Sequence, residues 1–301
     1  MNNDWVTYKN GNYTVFFNSK NGTKIRKNDL DSLVPSFAEN MDVQLTNKCK
    51  QGCKYCYANC TSDGKHSDIM NQKWIHTLHP YTELALNGND MDHPQLIEFL
   101  NFLKDKKIFA NITVNQNQFI NNFELIKDLS EKELIKGIGV SLIKADPEIM
   151  YFAKKLDNIV LHTIAGITTT KDYFQLAKQG FKVLILGYKN IGRGESYLSN
   201  YPEEVKKNIQ ELKNKLFNIV DEKWFDVISF DNLAIEQLDI KNILKFSDNK
   251  WSEFYMGDEG QFTFALNAVN QTFSKNSIAS ESEHYPLLDN VDSMFEVIRK
   301  R

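Results

Sequence analysis

All four cysteines of this 301-residue chain, Cys49, Cys53, Cys56 and Cys60, fall within one stretch of twelve residues. Positions 45–56 read Leu-Thr-Asn-Lys-Cys-Lys-Gln-Gly-Cys-Lys-Tyr-Cys. Thiolates are soft ligands that suit iron–sulfur clusters or zinc. A [4Fe–4S] cluster held by Cys normally takes four of them. Cys49, Cys53 and Cys56, separated by three and then two residues, leave one iron without a protein ligand, able to bind a substrate or cofactor. Adding Cys60 gives a different reading, a structural zinc site with four thiolates. Such sites usually draw their ligands as two separated pairs, and no second pair stands elsewhere in the chain.

The pattern C-x3-C-x2-C, with Tyr55 just before its last cysteine, resembles the signature of the radical S-adenosylmethionine (SAM) superfamily. The resemblance implies a [4Fe–4S] cluster on Cys49, Cys53 and Cys56, whose open iron is chelated by the amino and carboxylate groups of SAM. It implies that an electron from the cluster splits SAM into methionine and a 5′-deoxyadenosyl radical, which abstracts hydrogen from substrate. Tyr55 would pack near the adenine. An electron donor such as flavodoxin or ferredoxin belongs to that chemistry.

The resemblance also gives other residues a meaning. Leu86-Asn87-Gly88-Asn89-Asp90 stands where the family usually carries a Gly-Gly-Glu-like motif for the SAM amino group. One glycine survives and Asn89 replaces the acid; carbonyls and an Asn oxygen still accept from an ammonium. An ordinary Asn-Gly turn reads the same residues. Ser141 is a candidate for a ribose contact, against the plainer reading of a backbone-bonded serine. Asn115 is a lesser candidate, and His162 reads as a structural strand histidine. Gly187 ends a strand whose backbone groups would meet an adenine edge. The Gly192-Arg193-Gly194 loop resembles a segment of the peptide-modifying members, and Arg193 would fork onto a carboxylate. That glycine-rich loop lacks the Gly-Lys-Ser/Thr ending of a phosphate loop. Cys60 is a candidate hydrogen-atom donor, a solvent thiol or a small buried residue.

The elements that must hold these residues follow from periodicity. Alternating or apolar strand-like runs occur at 42–46, 83–87, 108–114, 137–143, 159–164 and 182–186, with helical stretches between them. Alternation of this kind argues for a parallel sheet with helices outside. Six units are too few for the full eightfold barrel; they match the partial (βα)6 TIM-like barrel of the radical SAM core, an α/β fold. The cysteine stretch then follows the first strand at its C-terminal end, where parallel barrels carry their active sites. Between the later strands, Leu96, Ile97, Leu100 and Leu103 form a helical stripe with Phe99 beside it, and Asp146-Pro147-Glu148 opens another helix. Val205, Ile209, Leu212, Leu216 and Ile219 mark a long one. Residues 1–40 are expected to form an N-terminal β-hairpin and linker, with Asn21-Gly22 as a turn signal. Residues 41–220 would be the core. Residues 221–301 would be a small α+β C-terminal extension, with strands near 226–231 and 261–266 and helices near 241–246 and 291–301, covering the barrel.

Composition narrows the function class. Hydrophobic residues make up 42%, enough for a sizeable core. A net charge of −3 implies no general affinity for nucleic acid. No apolar run reaches the ~20 residues of a membrane helix, and the N-terminus lacks a basic-then-apolar signal pattern. A cytosolic protein with reduced thiols is expected. The leading function is a radical SAM enzyme on a peptide or protein substrate, although no cysteine follows Cys60 to hold auxiliary clusters. The alternatives are a radical SAM enzyme on a nucleoside or small metabolite, and a non-catalytic metal-binding module that uses all four cysteines.

Overall fold

The computed structural model describes residues 4–29, 32–87, 90–255 and 257–300. The chain opens with three antiparallel strands, β1 (Trp5–Asn10), β2 (Tyr13–Asn18) and β3 (Lys24–Lys27), in that spatial order. The expected hairpin thus gains a third strand. Gly22, at φ 75°, supplies the left-handed residue that returns the chain into it.

The second sheet organises the molecule. Its strands are β4 (Asn40–Gln44), β5 (Glu83–Asn87), β6 (Phe109–Asn115), β7 (Gly137–Ser141), β8 (Ile159–Ile164), β9 (Lys182–Leu186) and β10 (Val227–Phe230), each parallel to its predecessor. β11 (Thr263–Asn267) then returns to pair parallel with β4, and β12 (Thr272–Ser274) and β13 (Tyr285–Pro286) add an antiparallel edge. The order is β10-β9-β8-β7-β6-β5-β4-β11-β12-β13, so the sheet has eight parallel strands where six were expected. The two extra strands come from the stretch after residue 221, and β11 enters beside the first strand rather than after the last. Among the described residues β10 and β13 do not pair with each other, so the sheet is open.

Helices fill the crossovers: α1 (Leu96–Asp105) after β5, then α2 (Gln116–Asn121) and α3 (Phe123–Glu131) after β6. α4 (Pro147–Ala153) follows β7 and α5 (Thr170–Leu176) follows β8. α6 (Arg193–Asn200) and α7 (Pro202–Asp221) follow β9. α8 (Asn232–Leu238), α9 (Ile240–Ile243) and α10 (Asp248–Phe254) lead to β11, and α11 (Val291–Arg299) closes the chain. α4 begins as its residues dictate: Asp146 accepts from the Glu148 and Ile149 amides, with Pro147 in the first turn. α1 buries Leu96, Phe99, Leu100 and Leu103, while Ile97 is exposed; the i, i+3, i+4, i+7 row passes through Phe99. α7 turns Val205, Leu212, Leu216 and Ile219 inward, each burial contributing about 1.5–3 kcal/mol.

The strand period of two separates two environments. Met41, Val43, Leu84, Leu86, Ile112 and Val183 are buried in the core between sheet and helices. The alternate residues, among them Asp42, Ala85, Thr113, Ser141, His162 and Leu184, line one cavity of about 600 Å³. Laid flat, β4 to β9 would span roughly 25 Å at ~4.8 Å per strand. Six strands reach one cavity of this size because the sheet curves around it.

The N-terminal sheet meets the cavity at its N-terminal end. Arg26 lines the cavity and forks onto buried Glu39, with Nε at 3.0 Å and Nη2 at 2.9 Å. Its guanidinium lies 4.0 Å from the Phe262 ring centre. Tyr13 donates its hydroxyl to the same carboxylate. A buried charge held by a bidentate partner and a phenol is satisfied, and this cluster forms the cavity floor.

Candidate active site

The cysteine loop leaves β4 at the opposite end, where the parallel strands end. Two isolated bridges close it, Thr46 to His66 antiparallel and Lys48 to Thr61 parallel. The Cys49 amide donates to the Thr61 carbonyl at 2.7 Å and the Cys56 amide to the Cys53 carbonyl at 3.3 Å. β4 begins and ends two residues earlier than the alternation suggests, because Leu45 and Thr46 already belong to this loop. Cys49, Cys53, Cys56 and Cys60 all line the cavity.

Their environments differ. Burial raises the Cys49 and Cys53 thiols above the usual range. Cys56 goes the other way, to about 6, chiefly because the Cys60 thiol donates a hydrogen bond to it. Cys60 is held protonated by that donation and by burial, and it is 4% exposed. Asn115 stands at the N-cap of α2, where its oxygen accepts from the Asn117 amide and its Nδ2 lies 3.5 Å from Cys53 Sγ.

Arg193 clamps this loop. It donates from its backbone amide to Cys56 O at 3.0 Å, from Nε to Cys53 O at 2.9 Å and from Nη1 to Cys60 O at 2.8 Å. The expected carboxylate fork is instead spent on carbonyls. The flanking glycines follow from the close approach: a Cβ at Gly192 would strike the Tyr57 carbonyl, and one at Gly194 the Lys189 carbonyl.

The other expected residues divide. Tyr55 lines the cavity with its ring edge-on to Tyr197 at 5.9 Å, and burial pushes its hydroxyl up to about 12. Asn87 and Ser141 end β5 and β7 and line the cavity. Gly88 and Asn89 lie outside the described residues. Gly187 lines the cavity, but its amide donates to Asp231 Oδ1 at 2.9 Å. Gln237 takes both backbone groups of Tyr188, at 2.7 and 2.9 Å. The Gly187 amide, at the strand end expected to meet an adenine edge, is thus engaged by the cap of α8, and the Tyr188 backbone by α8 itself.

Sequence reasoning passed over Asp42, Tyr57 and Lys189, which line the same cavity. Asp42 had a signal: it is a charged residue on the alternate face of an otherwise apolar strand. His162, read as structural, also faces the cavity, its ring so close over Gly139 that a Cβ there would collide with it.

The residues suit a sulfur-ligated cluster. Among the described residues no three His, Cys, Asp or Glu side chains converge on a single ion. A cluster binds its thiolates on separate irons, so its ligands need a common wall rather than a common point. Cys49, Cys53 and Cys56 have that wall, and a Cβ at Gly52, between two of them, would meet nothing within 4 Å. The cavity volume lies within the range of small-molecule sites.

No family model and no curated protein matches the sequence. Solved structures do match. SuiB of Streptococcus suis bound to its precursor peptide SuiA superposes with a TM-score of 0.55 at 12% identity, over 91% of this chain and 82% of SuiB. SuiB bound to S-adenosylmethionine gives a TM-score of 0.55 at 10% identity, over 90% and 81%. A further SuiB structure gives 0.53 at 11% identity, over 90% and 81%. At these identities the likeness is one of fold, and it extends over nearly the whole chain.

Proposed function

We propose that the chain is a radical SAM enzyme acting on a peptide, with a [4Fe–4S] cluster held by Cys49, Cys53 and Cys56. The carrying observation is three cysteines of one short loop at the C-terminal mouth of a cavity walled by parallel strands. Two features support it: the C-x3-C-x2-C spacing and a fold shared with SuiB, a protein seen with SAM and with a precursor peptide. In this reading the curved open sheet is the partial barrel, residues 41–220 carry its core, and residues 1–40 and 221–301 close its floor and open side.

When bound, cluster and SAM would supply reductive carbon–sulfur cleavage and a 5′-deoxyadenosyl radical for hydrogen abstraction. The chain's own residues position the parts. Arg193 fixes the loop through the Cys53 and Cys60 carbonyls. Asn115 addresses the Cys53 sulfur and Cys60 the Cys56 sulfur. Asn87, Gly88 and Asn89 offer oxygen acceptors to the SAM ammonium, Ser141 its hydroxyl to the ribose, and Tyr55 its ring beside the adenine. Gly187 holds the adjoining strand end in place through Asp231. A peptide substrate enters at the cysteine-loop mouth, and a flavodoxin or ferredoxin delivers the electron there.

The test is anaerobic reconstitution with iron and sulfide, then SAM and reductant, with chromatography for 5′-deoxyadenosine. The wild type should form it slowly without substrate, and Cys49→Ala, Cys53→Ala and Cys56→Ala should not. Cys60→Ala should remain active. Loss of the cluster in Cys60→Ala as complete as in Cys53→Ala would replace the enzyme with the four-thiolate metal module.

A further inference from the structure

Asp42 projects from the middle of β4 into the cavity, enclosed by its walls. It lies two residues below the strand's end, about 7 Å from the level at which the cysteine loop begins. Among the described residues its carboxylate has neither an ion pair nor a hydrogen bond. The side chain is half-buried, its carboxylate open to the cavity and without a compensating group from the chain. Burial raises its pKa; Lys189 opposes that rise, and Asp231 and Glu259 add to it.

His162 faces the same cavity from β8. No hydrogen bond to its imidazole is found among the described residues. Burial and then Lys189 lower it to about 4, so near neutral pH the ring is uncharged and offers one nitrogen as an acceptor. Lys189 influences both groups, but its ammonium is already held: Nζ donates to Ser277 Oγ at 2.8 Å and lies 3.9 Å from the centre of the Tyr57 ring. Asp231, Asp258 and Glu259 line the cavity as well; against these and Asp42 stand Lys189, Lys275 and Arg26, and Arg26 is committed to the Glu39 carboxylate.

We propose that Asp42 and His162 form a subsite for a cationic hydrogen-bond donor on the substrate, an ammonium or guanidinium seated deep in the cavity. The proposal rests on reading this cavity as the reaction chamber. Two acceptors without partners face one cavity whose Arg26 and Lys189 are already committed to Glu39 and Ser277. A neutral or acidic group would leave Asp42 uncompensated. A cation compensates it and gives the imidazole nitrogen a donor.

Calorimetric titration of the reconstituted, SAM-loaded protein tests the proposal. The probes are N-acetyl-lysine amide and N-acetyl-arginine amide, with N-acetyl-norleucine amide as the uncharged match. At least one cationic probe should bind about ten-fold or more tightly than the norleucine probe. Asp42→Asn, which keeps shape and removes charge, should erase that preference while the melting temperature holds, because the carboxylate has no partner in the fold to lose. Equal binding of all three probes, or a preference that survives in folded Asp42→Asn, overturns the subsite. If Asp42→Asn does not fold, His162→Gln should reduce the preference, and an unchanged preference there overturns it. Repeating the titration without SAM keeps the two readings distinct. A cation preference in a protein that never cleaves SAM would remove the radical SAM reading and leave the subsite standing.

Discussion

Arg193 holds Cys53 by its backbone: the guanidinium Nε donates to the Cys53 carbonyl at 2.9 Å, from a residue 140 positions away in sequence. The same side chain reaches the Cys60 carbonyl at 2.8 Å. Hydrogen bonds from a charged donor contribute about 1.5–3 kcal/mol each. Arg193→Ala therefore releases both ends of the segment that carries Cys53 and Cys56, leaving the sheet intact. The expected outcome is a protein with unchanged circular dichroism that retains less iron after reconstitution and gel filtration. Arg193→Lys, with one compact ammonium for a two-pronged fork, should recover only part. Full iron retention in Arg193→Ala would show that the loop is rigid without the clamp.

The strands were legible where one face met helices and the other met the cavity. The runs 83–87, 159–164 and 182–186 coincide with β5, β8 and β9 because alternation there is clean. β11 was legible as a strand but not as the neighbour of β4, since nothing local in residues 263–267 encodes a partner more than two hundred positions away. The cysteine loop was legible from spacing alone. The clamp was not: Arg193 between two glycines signals a close approach, but only the folded chain shows that it approaches carbonyls. Asp42 and His162 were visible as polar residues in strands, but their confinement to one enclosure needed the curvature of the sheet.

His162 should leave a signature in the pH dependence of stability. Its folded pKa of about 4 lies below its ordinary 6.5, with burial as the larger cause and Lys189 the smaller. The unfolded chain takes up a proton as pH falls below 6.5, and the fold resists that proton until about 4. Stability is therefore fully present above 6.5, falls through the window between those values and levels off below it. At pH 5 the loss from this group is at most about 2 kcal/mol. His93 is lowered to about 4 by burial and then by His66, so it contributes in the same window. Urea unfolding at pH 7 and pH 5 measures the sum, and His162→Gln should flatten part of the slope. An identical slope in His162→Gln would mean that the cavity admits enough water to solvate the imidazolium.

The cavity floor sets up a contrast between removing one charge and removing two. Glu39 is 1% exposed and takes its compensation from the Arg26 fork, with Tyr13 donating to the same carboxylate. Lys24 stands at 4.0 Å from Glu39 but at 2.5 Å from Glu83, so it is committed elsewhere. Arg26→Met leaves the Glu39 carboxylate buried without its fork, a loss of about 3–5 kcal/mol. Replacing both, Arg26→Met with Glu39→Gln, removes the stranded charge together with its partner and keeps an acceptor for the Tyr13 hydroxyl. The double variant should therefore be more stable than Arg26→Met alone, despite carrying one more substitution. Chemical denaturation of the wild type, both single variants and the double variant gives the coupling directly. Additive losses would mean that the Arg26 guanidinium is held chiefly by its position 4.0 Å from the Phe262 ring centre, and that the ion pair contributes little to closing the floor.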